Sequence, residues 1–92
     1  MPGLHPKLVH GDEMTMLYLN MDEGAVVPEH SHVHEQISMM LEGSFELTVE
    51  GETVLMKPGT AVVIPSHARH SGKSFAPCVF VEAFHPVRED MR

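Results

Sequence analysis

With 92 residues, the chain is long enough for one domain with a modest core, which a bound metal ion or oligomerisation would help to stabilise. Thirteen acidic residues outweigh six Lys and Arg, and the formal net charge of −7 argues against nucleic acid as a partner and against a basic membrane-binding face. A single cysteine, Cys78, excludes an intramolecular disulfide, and the sequence shows neither a signal-peptide pattern nor an apolar run of about 18 residues. We therefore expect a cytoplasmic protein.

The predicted elements are short strands, because apolar and polar side chains alternate with a period of two rather than 3.6. The clearest case is SFELTVEGETVLMKPG, in which two alternating runs flank Glu50 and Gly51 and predict a β-hairpin. Pro58 and Gly59 predict the next turn. In chain order, the predicted strands are residues 14–21, 36–41, 45–50, 53–56, 60–65 and 78–86.

No segment shows the long uninterrupted periodicity of a helix, because Pro and Gly break the chain at short intervals. The tail PVREDMR has room for one turn at most. In the last predicted strand, Cys78, Phe80, Glu82 and Phe84 share one face, so that a carboxylate lies among apolar neighbours. Short strands joined by Gly and Pro turns indicate an antiparallel sandwich or barrel.

Five of the eight histidines form two groups, one with His30, His32 and His34 and the other with His67 and His70. On a strand, alternate residues point to one face, so we expect His30 and His32 to project together. The second group follows an apolar strand and is expected on a turn. Imidazoles from both groups suit a transition metal, but histidine pairs two residues apart are also often only solvated. Periodicity alone leaves both interpretations open.

The spacing of these residues resembles the first motif of the cupins, a family of small β-barrels. That motif is Gly, five spacers, His-x-His, three or four spacers, Glu, six spacers, Gly. The chain reads Gly24, AVVPE, His30-Ser31-His32, VHE, Gln36, ISMMLE, Gly43. The departure from the motif is Gln36, which stands where the family has glutamate.

The second cupin motif also has a counterpart. It is Gly, five spacers, Pro-x-Gly, two spacers, His, three spacers, Asn. The chain reads Gly59, TAVVI, Pro65-Ser66-His67, AR, His70, SGK, Ser74. Here His67 replaces a glycine and Ser74 replaces the asparagine. The resemblance implies an all-β fold, a cupin antiparallel β-barrel (double-stranded β-helix or jelly roll), as a single domain over residues 1–92, with motif 1 at 24–43 and motif 2 at 59–74.

The resemblance also implies a centre for one divalent transition metal, Zn, Ni, Fe or Mn. Its ligands would be His30, His32, Gln36 and His70. Three His and one Gln add no charge, so the ion would keep its full positive charge and favour an anionic, carboxylate-bearing small molecule. His34 and His67 fall between the ligand positions, and we expect them at the pocket rim and in a turn near the mouth, respectively.

A narrower resemblance is to the small cupins of pectin and alginate breakdown, which convert unsaturated monouronates from a cyclic to a linear keto form. It depends on HSHVHEQISMMLEGSFELTVEGE and on the ending VEAFHPVRED. It implies Glu82, where the family usually has aspartate, and Arg88 as catalytic residues, with Phe84 and Arg88 binding the substrate. The simpler alternatives are that Glu82 pairs with Arg69 or Arg88 and that Phe84 belongs to the core.

Three functions remain open from the sequence. The first is a metal-dependent enzyme that opens or isomerises an acidic sugar such as an unsaturated monouronate. The second is an Fe(II)-type cupin dioxygenase, and the third is a non-catalytic module that binds sugar or metal. The segment before Met14 is short for the group and predicts an uncovered sheet edge, which we expect a homodimer to cover.

Overall fold

The computed structural model describes residues 2–92, and the elements in this range are nine β-strands and one short 3₁₀ turn, Glu89–Met91. This confirms the all-β prediction and the single turn expected in the tail. Within these residues, no helix is long and apolar enough to span a membrane. The strands are β1 Leu4–His10, β2 Thr15–Met21, β3 Val26–His30, β4 Glu35–Glu42, β5 Phe45–Val49, β6 Glu52–Met56, β7 Ala61–Ile64, β8 His70–Ser74 and β9 Cys78–His85.

The strands form two antiparallel sheets. The first sheet has the order β1-β2-β9-β4-β7, and the second has the order β3-β8-β5-β6. Strands that are neighbours in a sheet are mostly distant in sequence, as in a jelly roll. The expected antiparallel jelly-roll barrel is therefore confirmed.

The core lies between the two sheets and follows from the period-two pattern. In β9, Cys78, Phe80, Glu82 and Phe84 are all buried, as their shared face predicted. β2 buries its odd-numbered residues and leaves Met16 exposed. The buried apolar residues are Leu17, Leu19, Met21, Ala25, Met40, Phe45, Leu47, Met56, Ile64, Ala68, Cys78, Phe80 and Phe84.

Two turns contain residues with positive φ, a conformation that glycine adopts readily. The predicted hairpin is formed by β5 and β6, and Glu50 and Gly51 have φ of +47° and +81°, the conformation that suits two-residue hairpin turns. Gly43, the last glycine of motif 1, has φ of +110°, and a Cβ there would lie 2.6 Å from the carbonyl oxygen of Pro77. Any side chain at Gly43 would therefore displace the chain before β9.

Two strands, β1 and β8, were not predicted, and His30 and His32 were expected together on one strand. β1 pairs with β2 along its whole length and is the edge strand of the first sheet, so the segment before Met14 does supply a strand. β3 ends at His30, so His32 lies in the following turn and not on the same strand. His70 opens β8 and does not lie on a turn.

Candidate metal centre

Three imidazoles converge where β3 and β8 meet. His30 and His70 are directly paired across these strands, and their ring centroids are 4.1 Å apart. His32 joins them from the turn after β3, with its ring 4.9 Å from that of His70 and 5.7 Å from that of His30. One ring nitrogen from each residue lies within 4.8 Å of the others, so the triad is positioned to bind a metal ion.

The backbone fixes the tautomer of all three rings. The Nδ1 atoms of His30, His32 and His70 each lie 2.9 Å from a nearby backbone carbonyl, that of Pro28, His34 and Ala68 respectively. A carbonyl only accepts hydrogen bonds, so each Nδ1 carries the proton and each Nε2 keeps its lone pair. Metal-binding histidines are commonly held in this way, with the second ring nitrogen donating to a carbonyl.

Electrostatics favours the same neutral form. Burial lowers the pKa of His32, and the positive charge of Arg88 lowers it further. Burial is also the main cause of the lowered pKa of His70, with added contributions from His30 and Arg88. Neutral imidazole is the form that ligates metals, so these residues need little deprotonation before binding.

Gln36 extends the triad from β4, where its side chain is buried. Its Oε1 lies 3.2 Å from Nε2 of His32, and its Nε2 donates to Oε2 of Glu82 at 2.7 Å and to Oγ of Ser38 at 3.4 Å. The amide protons therefore point at Glu82 and Ser38, which sets the carbonyl oxygen towards His32. Two lone pairs then face each other without a proton between them, which is the arrangement that a shared cation would relieve.

Glu82 lies on β9 directly opposite Ser38 on β4, and only 8% of it is exposed. Its Oε2 accepts hydrogen bonds from Gln36 and from the hydroxyl of Ser38. Burial raises the pKa of Glu82 to about 7, although the hydrogen bond from Gln36 and the charge of Arg88 act in the opposite direction. A buried carboxyl whose pKa lies near neutrality can both take up and release a proton.

Arg88 lies beside these groups, but its ion pair is with Asp90. Its Nε and Nη2 donate to the two carboxylate oxygens of Asp90 at 3.1 and 2.8 Å, which holds the pKa of Asp90 down at about 2. The Arg88 backbone N–H donates to Oγ1 of Thr15 at 2.8 Å. The guanidinium is buried and lies 4.8 Å above the ring of Phe84. The suggested pairing of Glu82 with Arg69 or Arg88 is absent from the ion pairs of residues 2–92.

These groups line one cavity of about 450 Å³. Phe84 is buried and contributes to both the core and the wall of the cavity, since its ring meets that of His32 edge-on at 5.9 Å. The remaining wall is mostly apolar, with contributions from β1 and from Met91 of the 3₁₀ turn. The polar residues of the cavity are His30, His32, Gln36, Ser38, His70, Ser71, Glu82 and Arg88.

The other two clustered histidines lie outside the triad. His34 is buried, its ring is 5.4 Å from that of His32, and its Nδ1 has no hydrogen-bond partner in the described part of the chain. His67 is exposed with φ of +65°, and its backbone N–H donates to the carbonyl of His32 at 2.8 Å. His67 thus occupies a glycine position of the motif in the backbone conformation that glycine favours.

The sequence interpretation did not name Ser38 and Ser71, which line the cavity, or Asp90, which pairs with Arg88. Ser38 shares the inward face of β4 with Gln36 and Met40, and a polar residue at that position was a usable signal. No sequence signal identified Asp90, because its pairing with Arg88 depends on how the chain folds back after β9.

Comparison with known proteins identifies relatives that match this chain over most of its length. The pectin degradation protein KdgF of Dickeya dadantii (strain 3937) is 31% identical over 91 residues, which cover 96% of this chain and 83% of that protein. The structure of KdgF from Halomonas sp. superposes with a TM-score of 0.94 at 34% identity, covering 100% of this chain and 86% of that one. An RmlC-like cupin from Shewanella frigidimarina NCIMB 400 gives 0.95 at 27% identity, covering 100% and 84%. Residues 17–84, which include both histidine groups, match the family model Cupin_2 (Cupin domain), and the chain therefore belongs to the cupin family.

Proposed function

We propose that this chain works as a single cytoplasmic cupin domain that opens the ring of an unsaturated monouronate with the help of a metal ion. The observation that carries the proposal is that buried Glu82 and Arg88 line the same cavity as the histidine triad. The similarity to two KdgF proteins, one of them named for pectin degradation, supports the choice of substrate.

The residues that would hold the ion are His30, His32, His70 and Gln36. Their imidazole nitrogens and amide oxygen suit Zn, Ni, Fe or Mn, and the unpaired Gln36 and His32 lone pairs fit such a cation. When bound, the ion would supply Lewis acidity and, with four neutral ligands, an undiminished positive charge. A carboxylate-bearing ligand is therefore favoured over a neutral one.

Arg88 would hold the carboxylate of the substrate. Asp90 accepts hydrogen bonds from the Nε and Nη2 edge of the guanidinium, so the N–H groups of Nη1 are available to a ligand. The same ion pair limits the rotation of Arg88, so the free donors are already oriented when a ligand arrives. The ring of Phe84 supports the guanidinium from below and closes the wall beside it.

Glu82 would carry the proton. In the cyclic substrate, the ring oxygen joins the anomeric carbon to the carbon–carbon double bond. The anomeric hydroxyl gives its proton to Glu82, the bond between anomeric carbon and ring oxygen breaks, and an aldehyde and an enolate form. Glu82 then returns the proton to the enolate carbon, which gives the linear keto acid without net proton uptake. Within residues 2–92, Oε1 of Glu82 makes no hydrogen bond, so this oxygen is available to the substrate.

The test is to follow unsaturated galacturonate by NMR with metal-loaded protein. We expect the cyclic anomeric signals to disappear at least tenfold faster than in buffer, and the gain to be lost in Glu82→Gln and Arg88→Lys. The matched control is Glu42→Gln, which removes an exposed carboxylate at the end of β4. A metal-loaded wild type no faster than buffer would overturn the proposal.

Metal content is tested separately by elemental analysis of purified variants. His70→Ala should lose the metal, whereas His67→Ala, which changes a side chain outside the triad, should keep it. Equal metal content in the two variants would contradict the ligand set. An iron-loaded protein that consumed oxygen would support the dioxygenase alternative, and tight binding of the uronate without turnover would support a binding module.

A further inference from the structure

The cavity beside the histidine triad becomes apolar away from Glu82. Across the first sheet, Glu82 on β9 lies opposite Leu17 on β2, which in turn lies opposite Leu8 on β1. Both leucines line the cavity, as does Pro6, an exposed residue two positions earlier on β1. Neighbouring strands are about 4.8 Å apart, so the apolar wall on β1 begins roughly 10 Å from the buried carboxyl.

The barrel is open on the side of this wall. β1 and β3 are edge strands of the two sheets, and no strand pairing joins them within residues 2–92. Their cavity-lining residues Leu4, Leu8 and Val27 are only partly buried. On the opposite side, where β6 and β7 are the edge strands, Met56 and Ile64 are at most 1% exposed. The cavity therefore reaches solvent between β1 and β3 past apolar side chains, and we call this gap the side opening.

We propose that this site also binds small carboxylates that carry an apolar tail of about six carbons, a ligand class different from sugar acids. The carboxylate lies at the triad and the Nη1 group of Arg88, and the tail lies along Leu17 and Leu8 towards the side opening. The cavity of about 450 Å³ is within the range of small-molecule sites, which likewise combine mostly apolar walls with a few polar groups.

The apolar wall is unsuited to a sugar. Leu8, Leu17 and Val27 have no hydrogen-bonding group in their side chains, so sugar hydroxyls beside them would lose hydrogen bonds to water without replacement. An alkyl tail loses no hydrogen bond there, and its transfer out of water favours binding. A monouronate thus occupies only the polar end of the cavity. The carboxylate anchor is the part that this proposal shares with the proposed function.

Arg88 selects a charged head group. Its guanidinium is buried at the polar end of the cavity, and Asp90 accepts hydrogen bonds from Nε and Nη2 only. The N–H groups of Nη1 remain for a carboxylate, which accepts from arginine more strongly than a neutral oxygen does. A neutral apolar molecule leaves these donors unused, so the carboxylate and the tail both contribute to affinity.

Calorimetry with the metal-loaded full chain tests the proposal by comparing 2-oxooctanoate with pyruvate, which has the same head group and about five fewer methylenes. Each methylene that leaves water contributes about fourfold in affinity, so burial of half the tail predicts binding at least 30-fold tighter. The ketone 2-octanone, which has the tail without the carboxylate, should bind at least tenfold more weakly than 2-oxooctanoate. Equal affinity of 2-oxooctanoate with either control would overturn the proposal. The readout is binding, so it is independent of whether unsaturated galacturonate is opened.

Two pairs of variants locate the tail. Val27→Phe narrows the side opening and should reduce the affinity ratio of 2-oxooctanoate to pyruvate at least tenfold, with pyruvate binding retained. Its matched control is Val26→Phe at the preceding, 56% exposed position of β3, which should leave the ratio unchanged. Leu8→Asn repeats the test from β1, with Val9→Asn at a 70% exposed position as its control. A ratio that neither Val27→Phe nor Leu8→Asn lowers would place the tail elsewhere and refute this assignment.

Discussion

The side-chain amide of Gln36 donates to the buried carboxyl of Glu82 at 2.7 Å, and this hydrogen bond decides which end of the amide faces the histidines. With its nitrogen committed to Glu82 and Ser38, Gln36 presents its oxygen to His32. The carboxyl group that a glutamate at position 36 would bring to the triad therefore lies one hydrogen bond behind it, on Glu82.

Replacing Glu82 by Gln should weaken metal binding although Glu82 does not touch the triad. The new amide can donate to Gln36 as well as accept from it, so the orientation of Gln36 is no longer fixed. Loss of such a supporting group typically costs 10- to 100-fold in metal affinity, and we expect a loss of about tenfold or more. Competition with a chromophoric chelator measures it, with Glu42→Gln as the control. An unchanged dissociation constant would show that Glu82 does not orient Gln36.

Replacing Gln36 by Glu should weaken the binding of anions at the metal centre. The substitution adds a carboxylate beside the triad, and at a separation of ~5 Å with an effective dielectric constant of ~20, one charge changes the interaction by roughly 3 kcal/mol. We expect the affinity of metal-loaded protein for a 2-oxo acid such as pyruvate, measured by calorimetry, to fall at least tenfold. A neutral sugar serves as the control ligand. If the oxo acid binds both proteins equally, the neutral ligand set does not determine anion binding.

The elements that the sequence predicted are those in which local pattern and burial agree. The hairpin at Glu50 and Gly51 and the strand β9 have clean alternation, and both were found. β1 reads LHPKLVH and β8 reads HSGKS, which lack that pattern, so they are strands only because their neighbours pair with them. In the same way, the spacing identified the histidine groups, but the pairing of Arg88 with Asp90 depends on the path of the chain after β9.

The buried carboxyl of Glu82 should give metal-free protein a pH-dependent stability. Its pKa rises from 4.5 in the unfolded chain to about 7 in the folded state, so between these values the folded state binds more protons. The stability is full below pH 4.5, falls as the pH rises, and is lost above about 7, by as much as ~3 kcal/mol. Urea unfolding of metal-stripped wild type and Glu82→Gln at pH 5 and 8 isolates this contribution. Parallel pH profiles for the two proteins would contradict it.

The turn at His67 supports the segment that carries His32. His67 has φ of +65°, a conformation that costs a residue with a Cβ about 1–2 kcal/mol, and its backbone N–H supports the carbonyl of His32. His67→Ala keeps this strain, whereas His67→Gly removes it, so the glycine variant should be more stable by about 1 kcal/mol. Denaturant unfolding of the two variants measures the difference directly, and both lack the imidazole, so its loss cancels. Equal stabilities would mean that the turn relaxes when His67 is replaced and does not depend on the left-handed conformation.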